Sequence, residues 1–138
     1  MRKIRKRYGI LVPALLLMIA LCACGGGKVD DAELTVGTSY LYSEKEIQSA
    51  MRVVMNQFER GFESCKLLTL TYDEESSVKE ADHWAEQYEA DEAIVLESSF
   101  YVIGSKNPTL NPNSTYRGWE WILTRTGNGN WELQTCGY

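Results

Sequence analysis

The sequence predicts an α+β domain in which two helices cover one face of an antiparallel sheet of about four strands, in the order α-β-α-β-β-β. Three observations point there. A stripe of apolar residues at helical spacing follows a capping box at Ser43. Short runs rich in Leu, Thr, Tyr and Trp recur downstream. Thr126-Gly127-Asn128-Gly129-Asn130 separates the last two runs with a hairpin signal.

Taken in order, the chain opens with a segment that takes no part in this fold. Arg2, Lys3, Arg5, Lys6 and Arg7 precede an apolar run from Ile10 to Leu21, interrupted only by Pro13. The run is too short for a bilayer span, which needs roughly 20 residues, and suits a signal-peptide core. The basic flank stays cytoplasmic while the chain downstream of the apolar run is exported. Leu21-Cys22-Ala23-Cys24, followed by Gly25-Gly26-Gly27, resembles the bacterial lipobox. That resemblance implies cleavage after Ala23 and a diacylglycerol on the Cys24 thiol, and so a protein held by lipid at the extracytoplasmic face of a bacterial membrane. An ordinary secretory signal with incidental cysteines is the plain alternative. Residues 24–42 then read as a lipidated cysteine and a flexible, Gly-rich, acidic tether, and residues 43–138 as the single folded domain.

Ser43-Glu44-Lys45-Glu46 caps a first helix of about Glu44 to Arg60, with Ile47, Ala50, Met51, Val54, Phe58 and Phe62 on one face. Cys65 to Tyr72 reads as a strand ended by an Asp73-Glu74-Glu75-Ser76 turn. Ser77-Val78-Lys79-Glu80 reads as a second capping box, opening a helix to about Glu89. Strands over Ala93–Ile103, Gly118–Arg125 and Trp131–Tyr138 complete the sheet. Parity places Trp119, Trp121 and Leu123 on one face, and Trp131 and Leu133 on one face of the partner strand.

Removing the leader leaves nine basic residues against 19 acidic ones, a net charge of −10 for residues 24–138. Such a surface repels phosphate backbones, so nucleic acid is not an expected partner. Cys65 and Cys136 remain in an oxidising compartment, which invites a disulfide closing a loop of about 70 residues. Two free thiols behaving as small apolar groups are the other reading.

Cys65, Leu67, Leu70 and Tyr72, then Glu92-Ala93-Ile94-Val95-Leu96 with Ser99 and Phe100, form part of a longer pattern. It continues through Asn111-Pro112-Asn113-Ser114-Thr115-Tyr116, Trp119-x-Trp121-Ile122-Leu123-x-Arg125, Trp131 and Gly137-Tyr138. This pattern resembles an uncharacterised family of small Gram-positive lipoproteins, a domain of unknown function grouped with cystatin-like, nuclear-transport-factor-2-like folds. The resemblance spans about Tyr42 to Tyr138. It implies a long helix laid across a strongly curved sheet with a conical pocket between them, and it carries no catalytic residue across.

No set of residues forms a recognisable active site. His83 is the only histidine, and its neighbour Asp82 points to a different helical face. With so few ligands, neither a metal site nor a cofactor is expected. Acid pairs such as Asp73 with Glu74 and Asp91 with Glu92 lack calcium-loop spacing and read as solvated. Glu97 and Arg125 each interrupt an apolar strand: pointing inward they need partners, and pointing outward they need none. Trp84, Tyr88, Tyr101, Trp119 and Trp121 are either core filling or a contact face.

The leading expectation is a non-enzymatic, membrane-anchored module that binds a small molecule or an envelope protein through the aromatic sheet face. An envelope enzyme working inside the cone is the alternative. A second is an inhibitor-like protein presenting the loop Gly104–Arg117.

Overall fold

The computed structural model describes residues 26–104 and 106–138. The leader and Cys24 lie outside the described residues, as does Ser105. Within them the chain forms two helices and one mixed, open five-stranded sheet, so the α+β class holds. The elements are β1 (Glu33–Thr35), α1 (Glu44–Gly61), β2 (Cys65–Thr71), α2 (Glu74–Gln87), β3 (Glu92–Val102), β4 (Thr115–Arg125) and β5 (Glu132–Gly137). The strands lie side by side in chain order, β1 parallel to β2 and all other neighbours antiparallel.

α1 forms as its sequence dictates. Ser43 Oγ accepts from the Glu46 amide at 3.2 Å, and Glu46 Oε2 accepts from the Ser43 amide at 2.7 Å. Ile47, Ala50, Met51, Val54 and Phe58 are buried along its inner stripe. They meet Leu67, Leu70, Ile94, Leu96, Phe100, Trp121 and Leu123 of the sheet. Phe58, Phe62, Phe100 and Trp121 interlock there with ring centroids 4.8 to 6.4 Å apart.

The structure corrects three expectations. The fifth strand, β1, comes from the segment read as a tether. β2 has an outer edge whose backbone groups need partners, and the chain from Lys28 to Thr35 supplies them: Leu67 donates to Lys28 at 2.8 Å, and Glu33–Thr35 register with Thr69–Thr71.

α2 is capped four residues earlier than expected. Asp73 is the N-cap, accepting from the Ser76 amide at 2.9 Å. Ser77 is a buried helical residue whose hydroxyl accepts from the Val95 amide at 3.0 Å. β2 pairs with β3 only from Glu97 onward, and α2 occupies the place it leaves free beside Val95. The helices are therefore not on one face. α1 covers the side carrying Ile94, Leu96, Trp121 and Leu123, whereas α2 reaches the side carrying Val95, Glu97 and Glu120.

The third correction concerns the cysteines. Cys65 on β2 pairs with Val102 of β3, and Cys136 on β5 pairs with Trp121 of β4. Three strand spacings of about 4.8 Å separate them, roughly twice the Cα distance a disulfide bridges. Both are free thiols, Cys65 buried and Cys136 half-buried. Alkylation and peptide mapping of native material should find neither residue in a disulfide with the other, and reductant should leave the thermal unfolding midpoint unchanged.

Candidate functional site

Arg125, on the last position of β4, points to the α1 side. Its Nη2 donates to Glu46 Oε1 at 2.9 Å and its Nε to Glu92 Oε2. The guanidinium also lies 4.4 Å from the centroid of Trp131 and 5.4 Å from that of Tyr42. Burial pulls its pKa down, and the bonds to Glu92 and Glu46 outweigh that, leaving it raised. Glu46 is held below the ordinary carboxylate range, first by the Ser43 amide and then by Arg125. Both carboxylates and both rings are committed to this one cation, so the cluster is a fastening. It has no free acid, base or nucleophile to offer a substrate.

Glu97 is exposed on the opposite face. It stands directly across from Glu120 of β4, at the edge of a cleft of about 260 Å³ lined by Thr71, Asp73, Ser76, Ser77, Val95 and Leu96 together with the two glutamates. Burial raises the Glu120 pKa, with Glu80 and Glu97 adding like-charge repulsion. Glu80 accepts from Trp84 Nε1 at 3.1 Å. No cationic side chain among the described residues lines the cleft. Among the described residues, no group of three or more His, Cys, Asp or Glu could hold a metal ion.

The five aromatics do not form one face. Trp121 is fully buried and its indole donates to Ser98 Oγ at 2.8 Å, so it is core. Trp84 and Tyr88 stack at 6.1 Å on α2, and Tyr101 is half-buried on β3. Trp119 joins a different group, with Phe62, Phe100, Tyr116 and the 78 % exposed Tyr138 at 5.2 to 6.1 Å. Its buried Nε1 has no conventional acceptor and meets Cys136, whose thiol pKa burial raises and Trp119 lowers.

A further surface lies where a tether was expected. Glu74, in the first turn of α2, accepts from the hydroxyl of Ser39, from the amide of Tyr40 at 3.0 Å and from that of Leu41 at 3.3 Å. Tyr72 donates to the same carboxylate at 3.3 Å, and burial, then Glu74, pushes the Tyr72 pKa up to about 12. These bonds fix the bend from Ser39 to Tyr42 and turn two large apolar side chains outward: Tyr40 is 94 % exposed and Leu41 59 %. Val78, 43 % exposed, borders the same concavity with Asp73, Glu74 and Glu75. Tyr42 lies in the position just before the Ser43 cap, where an apolar residue commonly staples a helix entry. That signal marks the segment as ordered, but the run of glycines upstream of it reads as flexible.

No protein-family model, no curated protein and no solved structure matches the chain. No helix among the described residues is long and apolar enough to cross a membrane.

The charges carry two expected outcomes. Arg125→Lys keeps the cation but loses the fork that serves two carboxylates, and should cost roughly 1–3 kcal/mol of stability in denaturant unfolding, the scale for a buried group left without its hydrogen-bond partner. Glu120→Gln should stabilise at pH 7 by about 0.5 kcal/mol, the scale for like charges directly opposed on neighbouring strands. The folded Glu120 pKa is raised, so its penalty is complete above that value. The gain should therefore vanish as pH falls through it to the ordinary glutamate range near about 4.3. A gain that persisted at the lower pH would disprove this account.

Proposed function

We propose that this protein is a lipid-anchored, extracytoplasmic interaction module with no enzymatic activity. It presents the Tyr40–Leu41–Val78 surface to a protein segment carrying basic and apolar side chains. The observation that carries the reading is the Glu74 network, which holds two exposed apolar side chains on a fixed backbone. Solvent-facing Tyr and Leu gain nothing for folding, and pre-ordering them removes part of the entropic cost of binding. The acids around them set the preferred charge of the partner. The lipobox-like Leu21–Cys24 supports the anchor and the location. The motifs from Cys65 to Tyr138 resembling small Gram-positive lipoproteins of cystatin-like fold support the class of protein. The full commitment of Arg125 to Glu46 and Glu92 weighs against an enzyme built on that residue.

The reading is tested in cells with a photo-crosslinking amino acid at Tyr40 and, separately, at Glu59 near the other end of α1. Position 40 should yield a discrete adduct to a basic protein or segment that position 59 does not. Tyr40→Ala and Leu41→Ala should each weaken binding of that partner about ten-fold, a loss of about 1.4 kcal/mol. Neither should shift thermal unfolding. Identical adducts at both positions, or affinity unchanged in both variants, would reject the proposal.

A further inference from the structure

The membrane-proximal face of the domain is set by where the described chain begins, given the lipid anchor proposed above. Gly27 donates to Glu59 O at 3.1 Å, at the last turn of α1. A Cβ on Gly27 would lie 2.3 Å from Phe58 O, and one on Gly26 would lie 2.6 Å from Glu59 O. These glycines permit close backbone approach to the helix end, where carbonyls lack intrahelical partners. Only residues 25 and 26 separate Cys24 from this fixed point, and three residue steps reach about 11 Å at most. An acylated Cys24 cannot lift the domain clear of the headgroups.

The end of the domain held there has a distinct surface. Lys28, Arg60 and Arg117 are exposed on it, as are Lys106, 3.9 Å from Glu63, and the acid Glu59, and Ile103, 45 % exposed, is tied to the α1–β2 turn by donation to Ser64 O at 2.7 Å. The Lys28 bridge to Lys66, continued by the pairing of Lys66 with Tyr101 and of Tyr101 with Thr115, puts the aromatic end of β4 at the same level of the sheet as the anchor segment. Phe62 then links the end of α1 to Trp119, and Trp119 to the exposed Tyr138. Trp and Tyr favour the membrane–water interface, and Lys and Arg favour anionic headgroups. The opposite end of the domain carries an excess of acid, with Glu44, Asp73, Glu74, Asp91 and Glu132 against Lys45, and with Glu75 paired to Lys79, a balance that anionic lipid repels. The 18 residues of α1 place the two ends about 27 Å apart.

We propose that the end bearing Tyr138, Trp119, Ile103 and the exposed Lys28, Arg60 and Arg117 docks on the surface of an anionic bilayer. The domain then sits flush with the membrane, and Tyr40 and Leu41 point away from it. The test uses the full, lipidated chain in vesicles of phosphatidylglycerol and phosphatidylcholine with brominated acyl chains, which quench nearby tryptophan. Tyr138→Trp should add emission of which bromine removes at least half. Tyr40→Trp should add emission that loses less than a tenth. Equal quenching of the two added signals, with the protein floating with the vesicles and acyl groups found on Cys24 by mass spectrometry, overturns the docking while leaving the anchor intact. Absence of the acyl groups overturns both.

Discussion

A single guanidinium holds together the pieces that the sequence separates most widely. Arg125 ends β4, yet it is bonded to the first turn of α1 through Glu46 and to the start of β3 through Glu92, and it lies against Trp131 at the entry to β5 and Tyr42 at the entry to α1. Glu46 serves twice, closing the capping box with one oxygen and receiving Arg125 on the other. The angle at which α1 crosses the sheet is thereby tied to the cap that starts the helix. A lysine has one compact charge and could not meet two carboxylates and two ring faces from one position.

Because that fastening fixes the N-terminal end of α1, the segments on either side acquire definite places. Upstream, Ser39 to Leu41 is drawn onto Glu74, so that the start of α2 and the approach to α1 share one carboxylate. At the far end of the helix, Gly27 closes onto Glu59 and continues into the strand that covers the edge of β2. Composition suggests a loose leash, and the fold makes of it a strap running the length of the domain.

The two helices on opposite faces also change the meaning of the polar strand residues. With α1 on one side, Arg125 is enclosed and must be paired. On the other, α2 covers the sheet only in part, so Glu97 and Glu120 stay hydrated enough to remain side by side, at the cost of mutual repulsion. The cleft between them is a consequence of incomplete cover, and its charged groups are carboxylates set among the hydroxyls of Thr71, Ser76 and Ser77.

Read along the chain alone, α1 with its cap and buried stripe, the existence of β2 through β5, and the facing of Trp121, Leu123 and Trp131 were all legible. These rest on periodicity, capping and turn chemistry, which act between residues close in the chain. Features that need distant partners emerged only once the chain was folded. β1 forms because β2 offers an unpaired edge, α2 starts early because Asp73 caps it and the Val95 amide claims Ser77, and the cysteines stay apart because β3 and β4 intervene. The same holds for the candidate surfaces. Tyr40 and Leu41 carry no signal of their own, and only the carboxylate of Glu74, 34 and 33 residues away, turns them into a fixed face.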